Sequence, residues 1–131
     1  MSANAPEPTS PARKLLIADD ERSLRLLVAA TLASEDYEIV EASDGLQALA
    51  LARQEHPQAV LLDVDMPGMD GIEVCRQIKG DPSLATTIVV MLTSAAHPAQ
   101  REAGLAAGAT EYLTKPFSPL ELLRIVERVM Q

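Results

Sequence analysis

Apolar residues along this chain fall into two rhythms: short unbroken runs that suit buried strands, and longer stretches with apolar positions three and four apart that suit helices. Leu15 to Ala18 is the first short run, and it ends in Asp19, Asp20 and Glu21. Leu24, Leu27, Val28 and Thr31 then recur at helical spacing, so a helix starts directly behind the acids. Tyr37 to Ala42, reading YEIVEA, mixes charged with apolar residues and predicts an edge strand. Asp44, with Gln47 three residues on, predicts the start of a second helix through Leu46, Leu49 and Ala50 that stops ahead of Pro57.

The stretch from Ala59 to Gly71, AVLLDVDMPGMDG, organises the rest. Ala59 to Leu62 is a continuous apolar run, as expected of a strand buried on both faces of a parallel sheet, and Asp63 stands at its end. Asp70 is expected to cap the next helix with Glu73 as its reciprocal partner, and the helix presents Val74, Cys75 and Ile78 on one face. Gly80-Asp81-Pro82 predicts a glycine-terminated end followed by a proline stop. Ile88 to Leu92, IVVML, is the most apolar strand and ends at Thr93 and Ser94. A short alanine-rich helix follows from Pro98 to Gly108, then a last strand from Thr110 to Thr114 that ends at Lys115-Pro116. Ser118, Pro119 and Glu121 spell a capped helix start, Phe117 is placed to staple onto Leu122, and Leu122, Ile125, Val126 and Val129 form the buried stripe. Leu120 and Leu123 fall off that stripe and are expected to be exposed.

Strands and helices thus alternate five times. Alternation at this spacing implies right-handed crossovers and a parallel sheet covered on both faces. The unbroken first, third and fourth strands belong at the centre and the mixed second and fifth at the edges. The expected fold is α/β: a doubly wound, five-stranded parallel (βα)5 sheet of flavodoxin-like order 2-1-3-4-5.

Composition narrows the function. Residues 13–131 suffice for one domain, whereas residues 1–12, with Pro6, Pro8 and Pro11 among small polar residues, are expected to be a disordered tail; no output domain is expected in this chain. A net charge of -8 argues against nucleic acid or an anionic membrane as a direct partner. Cys75 is the single cysteine, which excludes an internal disulfide, and on an apolar helix face it is read as core. No signal-peptide segment or apolar run near the roughly 18 residues of a membrane span is present, so a cytoplasmic location is expected. His56 and His97 have no partners in motif spacing and receive no role.

With the first, third and fourth strands adjacent, their carboxyl ends bring Asp19, Asp20, Asp63 and Thr93 together, and Lys115 arrives from the fifth. Clustered carboxylates repel one another, and a hard divalent cation with oxygen ligands, such as Mg2+, relieves that repulsion while leaving room for a phosphoryl group. Lysine offers a compact charge to a phosphate oxygen and threonine a donor hydroxyl. The set suits phosphoryl transfer to a carboxylate.

These residues carry a family resemblance. LLIADDE, LLDVDMPGMDG, MLTS and YLTKPF occur in the order found in receiver domains of two-component response regulators, with 30 residues from Asp63 to Thr93 and 52 from Asp63 to Lys115. The chain resembles that family from Lys14 to Met130. The resemblance implies that Asp63 is the phosphoacceptor, that Asp20, Asp63 and the backbone carbonyl of Asp65 bind Mg2+ with Asp19 acting through water, and that Thr93 and Lys115 contact the phosphoryl group. Tyr112 matches the aromatic that moves inward on activation. The implied partners are a sensor histidine kinase or histidine phosphotransfer protein, and a downstream effector or output domain reached through the fourth helix, fifth strand and fifth helix; a homodimer on phosphorylation is a further expectation. Lys115 must turn back toward Asp63 while Phe117 already leads into the next helix, and a cis Lys115-Pro116 bond achieves this at a cost of about 0.5–1 kcal/mol. Two alternatives remain open: a haloacid-dehalogenase-type phosphatase using Asp63 and Asp65 as a DxD pair, and a phosphorylation-independent interaction module. The first normally needs DxD on its first strand, and here it ends the third.

Overall fold

The computed structural model describes residues 13–94 and 97–131. The expected tail over residues 1–12 lies outside them. Five strands alternate with five helices: β1 (Arg13–Ala18), α1 (Arg22–Thr31), β2 (Tyr37–Ala42), α2 (Gly45–Glu55), β3 (Ala59–Asp63), α3 (Gly71–Gly80), β4 (Ile88–Ser94), α4 (Pro98–Ala106), β5 (Glu111–Lys115) and α5 (Pro119–Val129), with one 3-10 turn at Pro82–Leu84. The strands form a single sheet in the order β2-β1-β3-β4-β5, every pair parallel. The mixed strands do lie at the edges and β3, buried throughout, at the centre. β1 begins two residues ahead of its apolar run because Arg13 and Lys14 still pair with Tyr37 and Glu38 of β2, where a polar pair can face water.

Alternation along each strand divides the core into two layers. Leu16, Val60 and Val89 sit in register on one face and pack with Ala48, Ala52, Val74 and Ile78 of α2 and α3. Leu15, Leu61 and Val90 point the other way, into a second layer with Val28 of α1 and Leu122, Ile125 and Val126 of α5. Cys75 is buried in the first layer, as expected of a small apolar side chain, and burial pushes its thiol up to about 11, which keeps it protonated and inert. Phe117 is the one aromatic among the buried hydrophobics of the described residues, so interdigitated aliphatic chains provide the packing.

Helix ends depart from the sequence reading in four places. Asp70 accepts from the backbone of Glu73, but the Glu73 carboxylate turns forward to Arg76 and Gln77 instead of reciprocating, because a charged partner one turn ahead outcompetes a backbone N–H. Gly80 is the last residue of α3 and does not adopt positive φ; the helix stops because Asp81 is extended ahead of Pro82 and caps the 3-10 turn. Conversely, α4 ends at Ala106, short of Gly108. Gly108, at φ 112, lets its own N–H reach Leu105 and that of Ala109 reach Gly104, a Schellman closure that a side chain at this φ would strain. His56, assigned no role, takes φ 50 and ψ 57 as the left-handed terminus of α2. Leu120 is exposed as expected, but Leu123 is half-buried against the second core layer.

At α5 the sequence signal is complete: Ser118 and Glu121 form both bonds of the capping box, and Phe117 shares a core layer with Leu122. Ser118→Ala should therefore lower stability by about 1 kcal/mol in urea denaturation, with an unchanged m-value.

Candidate functional site

Parallel strands that start together end together, and the order of this sheet sets β1 beside β3, where the crossovers reverse direction. Asp19 follows β1, Asp63 ends β3, and the two strands are paired through Ala18 and Leu62. Asp20 stands beside them, exposed, while Asp19 is wholly buried and Asp63 only 6% exposed. The three side chains can each offer an oxygen within 4.8 Å of the others.

A buried carboxylate needs a partner. Lys115, at the end of β5, reaches back across the sheet to Asp19 Oδ2 at 2.8 Å and Asp63 Oδ2 at 3.4 Å, with Glu21 at 3.9 Å. The Lys115-Pro116 peptide bond is cis, as the sequence led us to expect. Asp19 Oδ1 accepts from the Glu21 N–H at 2.8 Å, and Asp63 Oδ1 accepts from the Asp65 N–H at 3.2 Å. Arg25 on α1 steadies the same corner, donating to the Asp19 carbonyl at 2.6 Å and pairing with Glu41. Gly71 closes the far side: a Cβ there would lie 2.0 Å from the Asp63 carbonyl oxygen, so only glycine lets α3 begin this close to the strand end.

The electrostatics follow from this geometry. Burial pushes the Asp63 carboxyl up to about 6, the charge of Asp19 adds to the rise, and Lys115 and the Asp65 N–H offset part of it. Burial pulls the Lys115 ammonium down, but its bonds to Asp19 and Asp63 outweigh that and hold it above its ordinary value. Every donor atom in the cluster is a carboxylate oxygen, a set that suits a hard cation.

Thr93, buried, follows Leu92, the residue in register with Asp63, and so stands one step beyond it on β4. Tyr112 lies further off on β5, 36% exposed, with the guanidinium of Arg101 4.2 Å over its ring. Asp19, Asp20, Asp63 and Lys115 come together as the sequence led us to expect and Tyr112 stands apart from them, while nothing in the sequence reading marked Arg25, Gln100 or Arg101. Arg25, four residues after Glu21, carried a usable signal, since one helical turn returns it to the acids. Arg101 and Gln100 act across distant segments, and no local spacing marks them.

The model of the response regulator receiver domain matches residues 15–127. The chain is 42% identical over 110 residues to a probable transcriptional regulator, ycf27, of Cyanophora paradoxa, covering 84% of this chain and 45% of the relative. It is 41% identical over 118 residues to the transcriptional regulatory protein ResD of Bacillus subtilis, covering 90% and 48%. The chain spans about half the length of the curated relatives it matches. Among solved structures, a putative response regulator from Chloroflexus aurantiacus aligns at TM-score 0.85 and 34% identity over 90% of this chain and 97% of that one. The chemotaxis response regulator CheY4 of Vibrio cholerae aligns at 0.83 and 38% over 89% and 98%.

The raised Asp63 carboxyl makes a pH prediction. Between 3.8, its unperturbed value, and about 6, the folded metal-free protein holds a proton that the unfolded chain has lost, so this site costs stability as pH rises through that window. In chelator, Asp63→Asn should stabilise the protein by on the order of 2 kcal/mol at pH 7.5, a gain that fades as pH falls toward 4. Denaturant unfolding at several pH values checks it; a gain independent of pH would contradict the burial argument.

Proposed function

The chain belongs to the receiver-domain family of two-component response regulators, and from that premise we propose that Asp63 is its phosphoacceptor. Domains of this family are phosphoacceptor switches and not conventional turnover enzymes; the protein's own part is to catalyse its phosphorylation and dephosphorylation. One observation carries the assignment: a nearly buried carboxylate at the end of the central strand shares a lysine with a second buried acid.

In the proposed step an Asp63 oxygen attacks the phosphorus of a partner's phosphohistidine. The P–O bond forms, the P–N bond breaks, and the imidazole leaves as a neutral base after taking up a proton. Lys115, already beside Asp63, offers its ammonium to the phosphoryl oxygens, and the Thr93 hydroxyl donates to another. The Asp65 N–H fixes the attacking carboxylate by its bond to Oδ1. Asp20, Asp63 and the Asp65 carbonyl would hold Mg2+, with Asp19 acting through water. Bound there, the ion neutralises charge on the transferring group.

The signal then leaves through α4, β5 and α5, Thr93 drawn toward the phosphoryl group and Tyr112 following inward from beneath Arg101. Partners of matching chemistry are a sensor histidine kinase or histidine phosphotransfer protein that meets this chain in the cytoplasm, and an effector or output domain on that face; pairing of two phosphorylated copies there is part of the same reading. Residues 13–131 form the acceptor domain in this proposal. No described helix is long and apolar enough to cross a membrane. The phosphatase reading is not favoured: the Asp65 carboxylate faces Gln100, so it is not held over Asp63 as a general acid.

Incubation with Mg2+ and a small acyl phosphate, read by intact mass, tests the assignment. Wild type should gain one hydroxylamine-labile phosphoryl group and Asp63→Asn none; labelling of the variant at the wild-type rate would refute it.

A further inference from the structure

Asp65 is exposed, yet it is tied from two sides. Its N–H donates to Asp63 Oδ1 at 3.2 Å. Its carboxylate accepts from Gln100 Nε2, which stands 3.3 Å from both oxygens. Gln100 belongs to the first turn of α4, and its Oε1 is buried without a hydrogen-bond partner among the described residues. An unpartnered buried acceptor is unfavourable. Reversing the amide would do worse, turning Oε1 onto a carboxylate and leaving the donor buried instead, so the contact with Asp65 decides the orientation. The next residue, Arg101, lies over Tyr112. The first turn of α4 therefore grips the loop after β3 with one side chain and β5 with the other.

We infer that Gln100 is a positioning residue for the acceptor. It holds Asp65 by the side chain, and the Asp65 N–H in turn holds the Asp63 carboxylate in line for attack, so α4 and the acceptor are joined through two consecutive hydrogen bonds. The link passes through neither Thr93 nor the Tyr112 ring. Movement of α4 alters the restraint on the acceptor, and modification of Asp63 alters the hold on α4, by the same free energy in both directions. This role rests on Asp63 being the phosphoacceptor.

The link is read first in the unmodified, metal-free chain. Gln100→Ala should shift the backbone amide resonances of Asp63 and Asp65 more than those of residues 45–55, with an unchanged melting temperature. Phosphorylation by a small acyl phosphate with Mg2+ should then slow by roughly three- to tenfold, the range that coupling between contacting residues gives. Gln100→Glu, isosteric but charged against Asp65, should slow it further. Asp65→Ala, which keeps the N–H and carbonyl, should slow it as much as Gln100→Ala, and the double variant no more than either alone. Unmoved Asp63 and Asp65 amides, or losses that multiply in the double variant, would overturn the inference and mark the contact as an incidental surface pair. If wild type takes up no phosphate, the acceptor assignment has failed while the amide shifts still decide the link; if wild type is labelled and Gln100→Ala matches it, only the link has failed.

Discussion

One ammonium shared by two buried acids holds this molecule's working end together. Asp19 and Asp63 are removed from water at adjacent strand ends, and each would be costly there alone. Lys115 compensates both, at 2.8 and 3.4 Å, from β5, which neighbours neither β1 nor β3 and lies beyond β4. A long, flexible stem with a compact charge is suited to that reach. The compensation is partial: one cation faces two buried carboxylates with Asp20 beside them, and the Asp63 carboxyl remains raised. The residual negative charge is of the kind that a hard cation relieves, and Lys115 stands 3.4 Å from Asp63 Oδ2.

The remainder of the fold serves this arrangement. Two aliphatic layers clamp β1, β3 and β4 from both faces and fix where their ends fall. Gly71 lets α3 start against the Asp63 carbonyl, and Arg25 ties α1 to the Asp19 carbonyl. Among the described contacts, the first turn of α4 reaches its neighbours through two side chains, Gln100 to Asp65 and Arg101 to Tyr112. Side-chain contacts at a partly exposed surface exchange more readily than a packed core, and an element held by them is suited to move.

Much of this was legible in the sequence, for reasons that also explain what was not. Strand order followed from which apolar runs were unbroken, because only doubly covered strands can afford no polar residue. The meeting of Asp19, Asp63 and Lys115 followed from order and parallel direction alone. The errors lie where two local options were close in energy: Glu73 chose Arg76 over the cap, Asp81 ended α3 without help from Gly80, and Leu123, one position off the stripe, still found the core. Gln100 and Arg101 were invisible for a different reason. Their partners are 35 and 11 residues away, and nothing in local spacing announces a contact set by how one helix settles on a loop and a strand.

Thermal unfolding of Lys115→Met, with chelator and with Mg2+, shows whether Lys115 is what makes the buried acid cluster tolerable and whether a cation takes over part of its work. Removing one partner of a buried pair costs about 3–5 kcal/mol. A loss approaching that size is expected in chelator, largely recovered on adding Mg2+. A variant as stable as wild type in chelator, or one that Mg2+ does not restore, would contradict it.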